Sequence, residues 1–415
     1  MIAVHPKVTR SLQDYKMETI WQAISNLGLP GAVWKLPYES SIKVLVSFNA
    51  DLRMVEPDLD KLPPGFMIAP FLWNSTQPVS FMEGDLLMDY AMTGTAPKVD
   101  PFAHDQDHPK IVELMEEAEK CSKTTPSQSV TPKFWPIEAQ TSAHDKRHFI
   151  SNVQKAVSAI EKGEFQKVVL SRTKQLGFDD HFEAIKAFQK LTSQYPHAFV
   201  SLVNLPKQKE LWLGASPELL LSTTHAGTFK TMSLAGTQPA IDSKGGNIQK
   251  NEIRWGQKEI EEHALVSRYI VECFKKIRLR EYLETGPKST QAGNLYHLRT
   301  DFEVNAHEVH FEELGSVMLK LLHPTSAICG TPKESALAFI SAQEGFDRKL
   351  YSGFLGPVNI EEATKLFVNL RTVHLKDHLA TFYAGAGITE DSNAENEWNE
   401  TELKCDTLLQ VIAAM

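Results

Sequence analysis

Between His197 and Thr237 the chain reads as four short extended runs, HAFVSLVN, ELWLGAS, ELLLST and TFKTMSLAGT, with turn-forming residues between them. Strand-length runs rich in Val, Leu, Phe and Thr, so closely spaced, form hairpins. This part of the sheet is therefore expected to be antiparallel. Around it the period changes to that of helices. Phe149, Val153, Ala156 and Ile160 lie on one face and Gly163 is a stop signal; Ile185, Phe188 and Leu191 mark another helix. A long helix is expected over roughly 251–277, two more near 307–322 and 332–343, and a last one from Glu395 to Ile412. LFVNLRTVHL and LATFYAGAG read as a closing hairpin. The expected fold class is α+β, with large, mainly antiparallel sheets and outer helices.

The length of 415 residues and the 42% hydrophobic content allow a sizeable core. A net charge of -9 gives no basic signature for nucleic acid or an anionic membrane, so an anionic substrate needs locally placed cations or a metal. Cys121, Cys273, Cys329 and Cys405 are far apart with no CxxC pair, which argues against a disulfide framework or a zinc site and fits a reducing cytoplasm. The start MIAVHPKVTRSLQ lacks the apolar stretch of a signal peptide, and no apolar run is long enough to span a membrane. Three parts are expected: residues 1–121, an irregular N-terminal part of the fold; 122–144, a Ser/Thr/Pro-rich linker around SKTTPSQSVTPKFWP; and 145–415, the catalytic part.

Several charges sit among apolar residues. In EFQKVVLSRTK, strand alternation puts Lys167 on one face with Phe165, Val169 and Ser171. Such a lysine is either a candidate base in partly apolar surroundings or a solvated strand end. In the last helix Glu397, Glu400, Lys404, Leu408 and Val411 are spaced by 3, 4, 4 and 3 residues, one stripe whose apolar half packs inward. Its charged half needs partners or a metal if buried; the simpler reading is an exposed Glu400–Lys404 pair. In the long helix Glu259, Glu262 and His263 share a side, where glutamates can offer oxygens to a hard cation such as Mg2+ or form an ordinary acidic surface. Glu218 follows a proline and precedes an apolar run, the setting for a desolvated, protonated general acid or for a surface strand start. The glycines of SLAGTQP and YAGAGI either bring amides close to a carboxylate or make ordinary turns. Arg371, in an apolar run, is a carboxylate fork or a salt-bridged core arginine.

Taken in order, KVVLSR, GASPELL, LAGT, KEIEEHA, LHPTSAICGTPK, FDRKLYSGFLG, NLRTV, YAGAGI and EWNETELK resemble the chorismate-utilising enzymes, from about Lys146 to the C-terminus. That resemblance implies large, mainly antiparallel sheets layered on one another with helices outside and a deep cleft within. It implies Glu262 and Glu400 as Mg2+ ligands, with Glu259 and Glu397 supporting through bound water and the metal holding the ring carboxylate of chorismate. It implies Arg371, Tyr351, Lys404 and the amides of Gly385 and Gly387 around the enolpyruvyl carboxylate, Gly236 and Thr237 at the ring with His297 nearby, Lys167 as the base that activates water, and a monomer.

Within the family, Lys167 stands where ammonia-using members typically have glutamine, and Ala235 where aminodeoxychorismate synthases typically have a nucleophilic lysine. Ala327 and Ile328 are small and aliphatic, as in isochorismate synthases; Cys329 departs mildly from the usual Ala or Ser. The resemblance thus implies an isomerase, with Lys167 activating water at ring carbon 2 and Glu218 protonating the hydroxyl leaving carbon 4. Salicylate synthesis by further loss of pyruvate, or chorismate binding without turnover, are the alternatives. The route served, menaquinone or siderophore, stays open.

Overall fold

The computed structural model describes residues 11–74, 78–91, 96–105, 107–123, 131–137, 142–240, 246, 248–292 and 295–414. Of the expected linker, 124–130 and 138–141 lie outside these, as do the first ten residues.

Two antiparallel sheets face each other. The 11-stranded sheet runs Gly330–Thr331, Lys167–Phe178, Leu379–Ile388, Thr372–Lys376, Glu210–Ser216, Phe199–Leu205, Gly31–Lys35, Ser41–Val46, Leu86–Ala91 and Lys98–Asp100, with Phe134–Pro136 also paired to the Lys167 strand. The 9-stranded sheet runs Leu283–Ala292, Leu295–Asn305, Thr228–Pro239, Leu219–Thr224, Ala363–Val368, Phe354–Val358, Gly65–Ala69, Val79–Glu83 and Arg53–Val55. Strands from residues 1–121 enter both sheets, through Gly31–Lys35 beside Phe199–Leu205 and Gly65–Ala69 beside Phe354–Val358.

Alternation along the strands explains why these runs look apolar throughout. In Phe199–Leu205, Phe199 and Val203 point into the layer between the sheets, with Trp34, Phe66 and Trp212; Val200 and Leu202 point outward, under Ile185 and Phe188 of the Ala184–Gln194 helix. The helix Gln257–Lys276 packs on the Thr228–Pro239 strand, and the helix Ala394–Ala413 on the Leu379–Ile388 strand. The long helix therefore begins six residues later than the sequence pattern suggests, and the segment 307–322 is helical only over Leu314–Leu322.

The expected hairpin series breaks at one point. Glu210–Ser216 lies in one sheet and Leu219–Thr224 in the other, so Pro217 and Glu218 form a crossover between sheets. A second crossover, Asn369–Arg371, connects Ala363–Val368 with Thr372–Lys376 in the opposite direction. The candidate site lies where these two crossovers meet.

Candidate active site

Pro217 has no N–H to continue a ladder, and the chain leaves the sheet there. The crossovers hold each other: Val368 N–H donates to Glu218 O at 3.0 Å, Ala215 N–H to Arg371 O at 3.0 Å, and Ser216 Oγ to Val368 O at 2.5 Å. Arg371 is left-handed, with φ +47°, and not part of a strand as its apolar neighbours suggest. Such strain persists only where surrounding contacts fix it. The side chains of Glu218 and Arg371 reach a cleft shared with Glu262, His297, Ile328 and Lys404 among others.

One wall is the Leu379–Ile388 strand. Opposite its Gly385 and Gly387 stand Ser171 and Val169, whose N–H groups donate away from it, to Glu344 Oε1 and to Cys329 O. In an antiparallel ladder such facing residues do not bond each other, so the two glycines turn their polar groups to the other side. There the neighbouring Thr372–Lys376 strand has no register partner beyond Phe382. Gly385 O accepts from Lys404 Nζ at 2.7 Å. A side chain on Gly387 is excluded by packing: a Cβ would come within 2.3 Å of Glu262 Oε1 and 3.0 Å of Lys167 Cε.

Lys167 is fully buried and does not surface in the cleft; it stands behind Gly387 with Nζ 2.9 Å from Glu262 Oε1. It is on the Val169 face, as alternation requires, and it is not at a solvated strand end. Its ammonium has no aligned hydrogen-bond acceptor among the described residues, an unusual state for a buried donor. Two further lysines meet carboxylates nearby: Lys404 lies 2.7 Å from Glu400, and Lys258 pairs with the buried Glu397.

These surroundings separate the carboxyls. Burial pushes Glu218 up to about 8, only partly offset by the charges of Lys167 and Lys404, so it is protonated at neutral pH. Burial acts on Glu262 in the same sense, but Lys167 overrides it and the pKa falls below the usual value. Burial and the neighbouring Glu400 raise Glu397 to about 7 despite Lys258. Lys404 is also opposed by burial, yet Glu400 raises its pKa.

On the facing sheet, the register slips between Ala235 and Thr237, making Gly236 a bulge with φ +74°. A Cβ there would lie 3.0 Å from Glu259 O, so glycine also lets the long helix approach. The bulge aims Gly236 O at His297 Nδ1, 3.2 Å away, with Thr237 Oγ1 at 3.3 Å. On the other ring nitrogen, Nε2, Arg371 Nη2 donates at 2.8 Å. Burial presses Arg371 down to about 10, which leaves it charged at neutral pH. Burial and the arginine hold His297 well below the ordinary histidine value. A neutral ring that accepts at Nε2 carries its proton on Nδ1, so His297 donates to Gly236 O and its tautomer is fixed.

Ala327, Ile328 and Tyr351 complete the lining with Tyr383, which stacks on Tyr351 at 5.2 Å. Of the residues singled out from the sequence, Glu218, Gly236, Thr237, Glu262, His297, Ala327, Ile328, Tyr351, Arg371, Gly385, Gly387, Glu400 and Lys404 all face this cleft. Glu397 lies behind it.

Glu259 departs from expectation. Its Oε2 accepts from Gly256 N–H at 2.9 Å, capping the helix Gln257–Lys276, and its side chain is absent from the cleft. As the third residue of the helix it is well placed to cap and poorly placed to support a metal. Glu262 and Glu400 offer oxygens only, and no three His, Cys, Asp or Glu side chains among the described residues form a closed metal cage. That donor chemistry fits a partly hydrated Mg2+, which takes few carboxylates, and does not fit zinc.

Sequence reasoning missed Lys258, Glu344 and Arg348. The first stands one residue before Glu259 but meets Glu397 across 139 positions, which no local pattern announces.

A family model described as chorismate binding enzyme matches residues 98–413. The isochorismate synthase EntC of Escherichia coli is 31% identical over 268 residues, 63% of this chain and 66% of that protein. The salicylate biosynthesis isochorismate synthase of Pseudomonas aeruginosa is 30% identical over 286 residues, 67% of this chain and 57% of that one. The chain thus matches less than two thirds of either relative's length. Among solved structures, MenF, the menaquinone-specific isochorismate synthase from Escherichia coli, superposes with a TM-score of 0.72 at 20% identity, covering 97% of this chain and 92% of that one.

Proposed function

The chain belongs to the family of chorismate-binding enzymes, and within it we propose that it isomerises chorismate to isochorismate. The observation that carries this reading is Glu218: a buried carboxyl held at about 8 in a cleft where the charge of Lys167 is felt. Exchange of one allylic hydroxyl for another needs an acid and a base at two ring carbons, and these two groups supply them.

To act as the base Lys167 must first give up its own proton; the neutral amine then takes one from a water directed at carbon 2. The ring double bonds shift, and Glu218 gives its proton to the hydroxyl leaving carbon 4. The proton count balances, because water delivers one to the lysine and Glu218 releases one. Arg371, Lys404 and the N–H groups of Gly385 and Gly387 bind the enolpyruvyl carboxylate, as cations and amides suited to it. His297, with its tautomer locked by Arg371, offers no proton to that reaction and orients the guanidinium.

Glu262 and Glu400 would hold Mg2+, with Glu397 reaching it through water. When bound, Mg2+ supplies a hard cationic centre for the ring carboxylate and draws the charge of Glu262 away from Lys167. The small aliphatic pair Ala327–Ile328 excludes groups that could assist elimination of pyruvate.

The test is one incubation with chorismate and Mg2+, with products separated by chromatography. A plateau of chorismate and isochorismate supports the reading. Salicylate with stoichiometric pyruvate would replace it by salicylate synthesis, and unchanged chorismate with retained binding would leave a binding protein.

A further inference from the structure

The Lys167 strand lacks an outer neighbour over its middle. Its outer neighbour, Gly330–Thr331, pairs only with Lys167 and Val168, and Val169 N–H still reaches Cys329 O at 2.9 Å. From there to Leu176, where Phe134–Pro136 takes up the pairing, no strand lies along this edge. Two side chains take its place. Arg348 Nη2 donates to Val169 O at 2.7 Å, and Glu344 Oε1 accepts from Ser171 N–H at 2.7 Å. They are joined to each other, with Arg348 Nε 2.8 Å from Glu344 Oε2 and Nη2 on Oε1. The remaining arm, Nη1, donates to Ile328 O at 2.9 Å. The guanidinium lies 4.2 Å over the ring of Phe71, and both partners are buried.

We propose that Glu344 and Arg348 are a positioning pair for catalysis: a side-chain substitute for a strand that fixes the Ala327–Ile328 segment relative to the strand carrying Lys167. Neither touches the cleft. Both act through groups that do, since Val169 and Ile328 line it and Lys167 is two residues from Val169. A planar fork with five donors can serve Val169, Ile328 and Glu344 together; an ammonium cannot. The pair therefore sets the distance between the base and the aliphatic roof, and with it the balance between isomerisation and loss of pyruvate. The part concerning product balance rests on the isochorismate reading above; the mechanical part does not.

The test compares Arg348→Lys and Glu344→Gln with the parent chain, with Glu344→Met/Arg348→Met as a third form, because exchanging both buried charges for apolar groups is often tolerated where removing one is not. Hydrogen exchange of peptides covering 168–172 and 325–331 is measured with no substrate, beside kinetics on chorismate and pyruvate release. In folded Arg348→Lys, exchange should rise in both segments, turnover should fall on the order of 10²-fold with KM within about threefold, and the pyruvate fraction should increase. A role of the charge alone would be rescued by lysine. Unchanged exchange, or unchanged turnover and product ratio in a folded variant, overturns the proposal. If the parent chain makes no isochorismate, the functional reading fails by itself, and the exchange arm still decides whether the pair fixes the two segments.

Discussion

Glu218 and Glu262 line one cleft and are held in opposite charge states: burial keeps a proton on the first up to about pH 8, while Lys167 keeps the second ionised. Two glutamates thus take two jobs, one as acid and one as anion, by environment alone. The forward kcat/KM should fall as pH rises through about 8, where Glu218 loses its proton. Stability should move with it. The folded chain keeps this proton until about 8, whereas an exposed glutamate releases it near 4.5, so the folded state binds more protons between those values. Stability therefore declines as pH rises across that window, with a slope of up to about 1.4 kcal/mol per pH unit. Glu397 contributes in the same sense below about 7. Denaturant titrations of wild type and Glu218→Gln isolate the Glu218 part by difference; equal slopes would mean that it is ionised when folded.

Lys167→Ala should reduce turnover by roughly 10²–10⁴-fold, the usual worth of a general base. The variant leaves Glu262 without its 2.9 Å partner, so circular dichroism must accompany the kinetics. A folded variant with wild-type turnover would remove the lysine from the mechanism.

Activity should disappear with a chelator and return with Mg2+. Calorimetric titration of Mg2+ should weaken in Glu262→Gln and Glu400→Gln, the two carboxylates that open into the cleft, and Glu259→Gln should leave it nearly unchanged because that side chain caps a helix. Zinc should not replace magnesium, since the donors are oxygens. Activity insensitive to chelation would return all of these glutamates to a structural role.

Purified enzyme given isochorismate should produce chorismate and stop at the mixture reached from the other side. The isomers share the same ring unsaturation and enolpyruvyl ether, so their free energies are close, and the acid and base exchange roles in reverse. Glu218→Gln should slow both directions by one factor, because no catalyst alters the equilibrium ratio. Unequal factors, after correction for binding, would mean that Glu218 acts in a side reaction.

Gly236→Ala should destabilise the protein by about 1–3 kcal/mol and also raise KM. The position has φ +74° and only 3.0 Å to Glu259 O, so the bulge cannot keep both its conformation and its distance from the helix. Thermal unfolding and steady-state kinetics check the two effects; a neutral substitution would show that the bulge relaxes freely.

What could be read from the residues follows their spacing. Glu397, Glu400 and Lys404 repeat with helical period, and Lys167 alternates with Val169, so helix stripe and strand face were both visible, and the ordered motifs pointed to the family. The two crossovers were not. Ser216-Pro217-Glu218 has the same appearance as a hairpin turn, and only tertiary packing decides that the chain changes sheets there. The carbonyls that Arg348 holds, at Ile328 and Val169, are 20 and 179 positions away, beyond any periodic signal, whereas Glu344 is only four away. The capping role of Glu259 is legible in principle, because a glutamate three residues after a helix-starting glycine is a local pattern.

The early end of the Thr372–Lys376 strand, which leaves Gly385 and Gly387 without a ladder partner on that side, bears on solubility as well as on binding. Unpaired strand edges normally recruit other chains, and proteins blunt them with charges, prolines or covering loops. This gap lies inside an 11-stranded sheet, flanked by neighbours on both sides and covered by the helix Ala394–Ala413. No foreign strand can reach it, so its amides can stay vacant for a small anion without making the protein prone to assemble into fibres.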